Sequence, residues 1–157
     1  MSIQYSEYDQ IDRQIAKALI EDATLTSSQI GVIVGLSPSA ANERVRKLKQ
    51  DGVIRGIVAL LDSTFVDMDL GAFIFVSVDG GGNNASFLRQ VAEHQNILEC
   101  HHLTGEYSYL LKIRCKDAAA LESLITNFLK SQPGVSKTMT QIILSSHKEL
   151  CSVLGRK

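Results

Sequence analysis

One segment of the chain, residues 35–48, has the pattern of a tight turn followed by a short basic helix. Ser37 is a suitable N-cap, because its hydroxyl can accept a hydrogen bond from a free backbone N–H of the first helical turn. Pro38 then falls at the first helical position, where a missing N–H breaks no hydrogen bond. Three cations cluster near the end of this helix: Arg44, Arg46 and Lys47. A capped helix with clustered cations is typical of elements that read the DNA major groove.

Two more helices are predicted before this one. Asp9 can cap the first helix, whose apolar side chains recur at helical spacing: Ile11, Ile15, Ala18 and Leu19. Thr26 and Gln29 form a capping box for the second helix, and Gly35 provides its C-terminal stop. Two helices joined by a Gly-Leu-Ser turn, the second of them basic, form a helix-turn-helix pattern.

The segment after the third helix, residues 53–61, is rich in β-branched residues and has a glycine near its middle. This composition predicts a small strand pair, a wing that covers the open side of the three helices. Residues 62–70 mix acidic and apolar side chains, which indicates a hinge. We therefore predict a helix-turn-helix domain with its wing or linker strand over residues 1–61, a hinge over 62–70 and a second domain over 71–157.

After the hinge, the hydrophobic pattern predicts the order βαββαβ, the ferredoxin-like split βαβ motif. The predicted strands cover residues 72–78, 97–104, 107–115 and 135–145. Apolar side chains at helical spacing mark the two helices: Phe87, Leu88, Val91 and Ala92, then Leu121, Leu124, Ile125, Phe128 and Leu129. A glycine-rich connection is predicted at residues 80–82. The expected fold class is α+β, with an N-terminal (winged) helix-turn-helix and a C-terminal ferredoxin-like domain.

The net charge of the 157-residue chain is −1, which argues against non-specific coating of nucleic acid. Positive charge is instead local, with five cations against one anion between Arg44 and Arg55. No apolar run approaches the roughly 18–20 residues of a membrane helix, and no signal peptide is recognisable, so we expect a cytoplasmic protein with no membrane partner. The three cysteines lack metal-type spacing and are expected to be reduced thiols: Cys100, Cys115 and Cys151.

Short motifs with a distinctive order cover almost the whole chain. They span residues 9–15, 35–39, 43–48 and 52–56 in the first domain, and residues 99–101, 104–107, 109–112 and 133–135 in the second. In this order and at this spacing they resemble the motifs of the Lrp/AsnC family of bacterial and archaeal regulators, also called feast/famine regulators.

The resemblance implies a sequence-specific DNA-binding transcriptional regulator without enzymatic activity. In this family the ferredoxin-like domain, also called the RAM domain, forms the dimer by pairing sheets and often assembles dimers into octamers. It also binds an amino acid in a crevice between dimers, which alters assembly or DNA affinity. The implied partners are double-stranded DNA, a free amino acid and further copies of the chain, as a homodimer that assembles into a tetramer or octamer. The alternative is an enzyme, since sirohaem decarboxylases share this architecture, although no convergent acid–base pair is visible.

Seven residues are predicted to contact DNA: Ser37, Ser39, Ala40, Asn42, Arg44, Arg46 and Lys47. Asn and Arg can make bidentate contacts with adenine and guanine edges, and Ser, Arg and Lys can hold phosphates. The alternative is a basic helix face that contacts only solvent. Arg44 lies on a flank of the helix, where it also suits an ion pair with the acidic first helix.

Five consecutive residues form the predicted effector turn: Thr104, Gly105, Glu106, Tyr107 and Ser108. A turn with glycine exposes backbone N–H groups to a carboxylate, and nearby oxygens can bind an ammonium group, while the alternative is an ordinary hairpin turn. Ser108 stands where the family usually has Asp or Asn, and Glu106 can supply the missing charge. The apolar surroundings favour leucine or methionine as effector.

The resemblance further implies that polar residues of the last strand line the crevice from a neighbouring subunit: Thr138, Thr140 and Ser145. These positions equally suit ordinary strand residues. No metal or other cofactor is expected. His101 and His102 are adjacent on a predicted strand, so their side chains point to opposite faces and cannot easily share one ion.

Overall fold

The computed structural model describes residues 8–79 and 84–149. In chain order the elements are α1 (Gln10–Glu21), α2 (Ser27–Val34), α3 (Pro38–Gln50), β1 (Leu70–Val78), α4 (Asn84–Glu93), β2 (Ile97–His102), β3 (Tyr109–Cys115), α5 (Ala118–Ser123, continued by a π-helical turn, Leu124–Leu129) and β4 (Val135–Ile142). The chain divides into two compact units, Met1–Val58 and Ala59–Lys157. The predicted connection at residues 80–82 and Cys151 lie outside the described residues.

The three N-terminal helices have the predicted caps. Asp9 accepts a hydrogen bond from the Asp12 N–H at 2.9 Å, and the Asp12 carboxylate accepts one from the Asp9 N–H at 3.2 Å. Thr26 and Gln29 form the same reciprocal box at α2. Gly35 ends α2 in the left-handed conformation (φ 70°), which glycine adopts without steric strain. The helix-turn-helix prediction is confirmed.

Gly31, in α2, allows the turn between α2 and α3 to pass very close to the helix. The three helices enclose a small core whose centre is buried: Ile15, Ile30, Ala41 and Leu48. A Cβ atom on Gly31 would lie 2.5 Å from the backbone oxygen of Leu36. The Leu36 N–H donates to the Gly31 carbonyl at 2.9 Å, so this part of the turn is tied to α2.

We expect Gly31→Ala to lower the free energy of unfolding of the N-terminal unit by about 2–3 kcal/mol, because the added methyl group clashes with backbone atoms that cannot simply rotate away. Urea denaturation of the full chain, followed by circular dichroism, measures the loss. Ser28→Ala, at an exposed position of the same helix, is the control. Equal stability of the two variants would contradict the prediction.

The strand pair predicted over residues 53–61 is wrong, since this described segment contains no strand. The Ile54 N–H donates to the Leu48 carbonyl at 2.9 Å, and Val53 and Ile54 pack against the helical core. The large apolar side chains beyond them are exposed: Ile57, Val58, Leu60 and Leu61. A strand requires a neighbour for its backbone hydrogen bonds, and no described strand pairs with this segment.

The second unit contains an antiparallel sheet with the strand order β2-β3-β1-β4. In the register, Ile74 of the central strand β1 lies between Leu111 of β3 and Thr140 of β4. The inner face of the sheet packs against α4 and α5 and forms the main core: Ala72, Ile74, Val76, Tyr109, Leu111 and Ile113 with Phe87, Val91, Leu121, Leu124 and Leu129. The alternate residues of β1 and β3 form the outer face. The predicted ferredoxin-like topology and α+β fold class are confirmed.

Several element boundaries differ from the prediction. β1 begins at Leu70, within the predicted hinge, and Thr64–Val66 forms a single 3₁₀ turn. The connection between β2 and β3 covers residues 103–108 and is longer than the predicted turn. β4 ends at Ile142, which pairs with a residue near the start of β1, so the ladder ends where its partner strand ends and Ser145 lies beyond it.

Arg114, on the outer face of β3, fastens two other segments to the sheet. Its guanidinium Nη1 lies 3.4 Å from Ser63 Oγ and 3.2 Å from the Asp69 carbonyl oxygen, and Nη2 donates to the Glu149 carboxylate. Lys112 Nζ lies 3.0 Å from the other Glu149 oxygen. Burial opposes ionisation of Glu149, but the hydrogen bonds from Arg114 and Lys112 outweigh it and lower the pKa of the carboxyl.

His94 follows α4 and is half-buried. Its ring centroid lies 4.4 Å from that of Phe128, and its Nδ1 accepts a hydrogen bond from the Asn96 N–H at 3.3 Å. Burial lowers the pKa of His94 below its ordinary value of 6.5. The folded chain therefore binds fewer protons at this position than the unfolded chain when the pH is below about 6.5.

We expect this contribution to stability to be complete above about pH 6.5 and to be lost as the pH falls toward and through the lowered pKa of His94. In His94→Asn, which keeps a hydrogen-bond acceptor but does not titrate, the fall in stability from pH 7.5 to pH 5 should be smaller. Urea midpoints at both pH values measure it, with the exposed His147→Asn as control. A wild-type pH dependence unchanged by His94→Asn would disprove this role.

Candidate DNA-binding surface and effector turn

The face of α3 opposite the core carries most of the predicted DNA-contact residues. Five of them are exposed and one is half-buried: Ser37, Ser39, Asn42, Arg46 and Lys47, with Ala40 as the half-buried one. Ala41 and Leu48 are buried on the other side of the helix, so packing fixes which face α3 presents. We call the exposed set, together with Ala40, the α3 surface.

Hydroxyl and amide groups organise the start of the α3 surface. Ser37 Oγ accepts a hydrogen bond from the Ala40 N–H at 3.3 Å and lies 3.1 Å from Ser39 Oγ. Asn42 Oδ1 accepts a hydrogen bond from Ser27 Oγ of α2 at 3.5 Å. The N-terminus of a helix also attracts phosphate through its free N–H groups, so this end suits contact with the DNA backbone.

Arg44, which is also a predicted DNA contact, forms ion pairs with residues at the start of α1. Its Nη1 lies 2.8 Å from Asp9 Oδ2 and 3.1 Å from both carboxylate oxygens of Asp12, which is buried. The pKa of Asp9 is lowered, first by the hydrogen bond from the Asp12 N–H and then by Arg44. Arg44 therefore ties α3 to α1, which favours the ion-pair alternative over a DNA contact.

Arg46 and Lys47 remain at the surface. The Arg46 side chain is 62% exposed and pairs with Glu43 one turn earlier on α3. Lys47 Nζ lies 5.9 Å from the centre of the Tyr8 ring. Exposed ion pairs within a helix contribute little to stability, so DNA phosphates or bases can replace Glu43 as the partner of Arg46.

We expect Glu43→Gln to raise DNA affinity about 3-fold or more per protomer, because it frees Arg46 and removes a negative charge from a surface that approaches phosphates. A fluorescence-anisotropy titration with a duplex operator at fixed salt concentration measures the change. Glu122→Gln, an exposed substitution in α5, provides the control for charge alone. An affinity that Glu43→Gln leaves unchanged or lowers would show that Glu43 does not compete with DNA.

The predicted effector turn lies at the end of β1 and is fixed to it by two serines. The Ser77 hydroxyl donates to the Glu106 carbonyl at 3.0 Å. The Ser108 hydroxyl accepts from the Val78 N–H at 3.3 Å, and the Ser108 N–H donates to the Val76 carbonyl at 2.9 Å. Three hydrogen bonds therefore join the turn to β1, and the Ser108 hydroxyl takes part in one of them.

The structure separates the predicted crevice residues of β4 from this turn within one chain. Thr138 pairs with Val76 and Thr140 with Ile74, so both threonines lie on the inner side of the sheet. Thr140 lines a groove beside α5, while Ser145 lies beyond β4. A contribution of these residues to an effector site from a neighbouring subunit remains a prediction.

Lys137 is a residue of this region that the sequence reasoning missed. Its ammonium group pairs with the Glu106 carboxylate and lies 5.2 Å from the centre of the Tyr107 ring. The sequence alone could indicate the face on which Lys137 lies. Side chains alternate between the two faces along β4, so Lys137 lies on the outer face, opposite to Thr138 and Thr140. The register of β4 on β1, which sequence patterns do not provide, is needed to place it beside the turn.

Within the described residues, no group of three or more histidine, cysteine or acidic side chains is arranged to hold a metal ion. His101 Nε2 lies 2.9 Å from Glu99, and the ring centroid of the neighbouring His102 lies 5.1 Å from that of Tyr109. The described part of the chain also contains no helix long and apolar enough to cross a membrane.

A helix-turn-helix with an exposed basic helix, joined in one chain to a ferredoxin-like sheet with a polar turn, defines a DNA-binding regulator with a separate ligand-binding domain. The family model described as Lrp/AsnC ligand binding domain matches residues 71–153, and the model described as winged helix-turn-helix DNA-binding matches residues 8–55. The chain belongs to the Lrp/AsnC family and is a transcriptional regulator.

Relatives of known sequence and structure agree with this assignment. The leucine-responsive regulatory protein of Escherichia coli K12 is 34% identical over 145 residues, which cover 91% of this chain and 88% of that protein. The leucine response regulatory protein LrpA of Mycobacterium tuberculosis has a TM-score of 0.82 and 29% identity, over 90% of this chain and 96% of LrpA. A transcriptional regulator of Neisseria meningitidis, solved as a complex with L-Met, has a TM-score of 0.78 and 31% identity, over 90% and 93% of the two chains.

Proposed function

We propose that two copies of this regulator present their α3 surfaces to successive major grooves of one DNA site. The observation that carries the proposal is the exposure of Asn42, Arg46 and Lys47 on one helix whose opposite face is buried. A single copy neutralises few phosphates, and affinity rises with the number neutralised, so tight binding requires a second copy. Half-sites are then expected about one helical turn apart, or a multiple of it.

Selection of binding sequences from a random duplex pool, followed by footprinting, tests this proposal. We expect enriched sites with two inverted half-sites at that spacing. Enrichment of no sequence, or protection of a single half-site by a monomer, would contradict it.

The effector that we propose is a free amino acid bound at residues 104–108, with leucine or methionine favoured. Two of the relatives support this choice, since one is a leucine-responsive regulatory protein and another was solved as a complex with L-Met. Thr138, Thr140 and Ser145 of a neighbouring copy would complete the crevice. A thermal-shift screen of the twenty amino acids tests the proposal, and no response to any of them would contradict it while DNA binding stands.

We further propose a cytoplasmic, non-enzymatic protein that needs no metal or prosthetic group and assembles as a dimer, tetramer or octamer. The relatives named above are transcriptional regulators and do not favour the sirohaem decarboxylase alternative. Native mass spectrometry of the full chain, with and without amino acid, separates the three assemblies. A monomer under all conditions would contradict the proposal.

A further inference from the structure

An exposed ion pair lies beside the proposed effector turn, between Glu106 of the turn and Lys137 of β4. The side chains are 68% and 54% exposed, respectively. They come together because Lys137 pairs with Ser77 in the sheet, and the Ser77 hydroxyl donates to the Glu106 carbonyl. The backbone that carries the two side chains is therefore held by hydrogen bonds, whereas their charged groups remain accessible to solvent.

The surroundings of the pair leave room for a ligand. Gly105 has a φ of 116°, and a Cβ atom built there would have no neighbour within 4 Å, so the space beside the turn is open. The Lys137 ammonium lies over the Tyr107 ring. The centroid of the Tyr107 ring lies 5.6 Å from the centroid of the Phe75 ring on the outer face. Because exposed ion pairs contribute little to stability, a ligand can separate this one at small cost.

The Glu106–Lys137 pair can supply both charges that complement a free amino acid. The Ser108 hydroxyl is neutral and already accepts from the Val78 N–H, so it lacks the negative charge with which a carboxylate binds an ammonium group. The Glu106 carboxylate belongs to the turn, and the Lys137 ammonium pairs with it. The hydrogen bond that Lys137 donates to the Glu106 carboxylate also raises the pKa of Lys137, so the ammonium stays charged at neutral pH.

We propose that a free α-amino acid binds by separating this pair, with its carboxylate on Lys137 and its ammonium on Glu106. The inference rests on the proposed effector function of the same turn. It assigns Lys137 as a specificity-determining residue and selects zwitterions, because a ligand with both charges replaces both halves of the pair. A ligand with only one charged group leaves the other member of the pair without a partner.

Isothermal titration of the full chain with L-leucine, L-methionine, their amides and their N-acetyl derivatives tests the proposal. The free amino acids should bind wild type at least 10-fold more tightly than either derivative. Lys137→Gln should weaken binding of the free amino acid at least 10-fold and leave amide binding unchanged. Glu106→Gln should weaken the free amino acid and the amide but not the N-acetyl derivative.

Control variants separate ligand binding from a structural role. Lys137→Arg should keep the affinity, and Lys116→Gln, an exposed lysine elsewhere in the same unit, should not change it. The ligand-free melting temperature of Lys137→Gln and Glu106→Gln should stay within about 2 °C of wild type, since the pair is exposed.

Two outcomes would overturn the inference in different ways. If wild type and both Gln variants bind free leucine or methionine equally, the pair is not the binding group, while the effector proposal stands. If wild type binds none of the twenty amino acids in the thermal-shift screen, both proposals fail.

Discussion

Arg46→Ala/Lys47→Ala should lower the affinity for a selected operator at least about 100-fold. A bidentate contact of an arginine with a base contributes about 1–3 kcal/mol, and 1.4 kcal/mol corresponds to a tenfold change in affinity. A dimer loses the contact twice, and the loss of Lys47 removes a phosphate contact from each copy as well. Both side chains are exposed, so the substitution leaves the folded structure intact.

Fluorescence anisotropy at several salt concentrations measures this loss and should also show a shallower salt dependence. Lys17→Ala/Lys130→Ala, which removes the same charge from exposed positions of α1 and of the turn after α5, is the control and should change affinity less than 3-fold. The oligomer mass should be the same in all three proteins. Retention of operator affinity in Arg46→Ala/Lys47→Ala would rule out α3 as the DNA-reading helix.

Arg114→Met should cause the largest loss of stability in the second unit, about 3 kcal/mol. The substitution leaves the Glu149 carboxylate, which is 18% exposed, without its guanidinium partner. It also removes the donor to Ser63 and to the Asp69 carbonyl, which fastens residues 63–69 to the sheet. Removing one member of a buried ion pair lowers the free energy of unfolding by more than the pair contributes, because the remaining charge stays desolvated, and here Lys112 is the only cation of the described residues left beside Glu149.

Urea denaturation monitored by tyrosine fluorescence measures this loss. Arg114→Met/Glu149→Leu, which removes both charges, should recover more than half of the lost stability, because Lys112 then keeps Glu99 as its partner and no buried charge remains unpaired. Arg89→Met, at an exposed position of α4, is the matched control. A loss below about 1 kcal/mol in Arg114→Met would show that the buried cluster is not a stabilising anchor.

The sequence by itself determined the local structure of the N-terminal unit. The caps at Asp9, Thr26 and Ser37 join residues three positions apart, and Gly35 ends α2 through its own backbone freedom. Such features depend on short segments, so residue type and spacing predict them well. The order of strands and helices in the second unit followed in the same way from hydrophobic periodicity.

Only the tertiary structure determined the hydrogen-bond partners of residues that lie far apart in the sequence. Arg44 bonds to Asp9 across 35 residues, and Lys137 bonds to Glu106 across 31, both through packing and register that no local pattern encodes. The apolar segment 53–61 looked like a strand, but strand formation depends on a neighbour that the described chain does not provide. Thr138 and Thr140 face the inner side because β4 pairs with β1 in one register, and a shift of one residue would reverse every side chain.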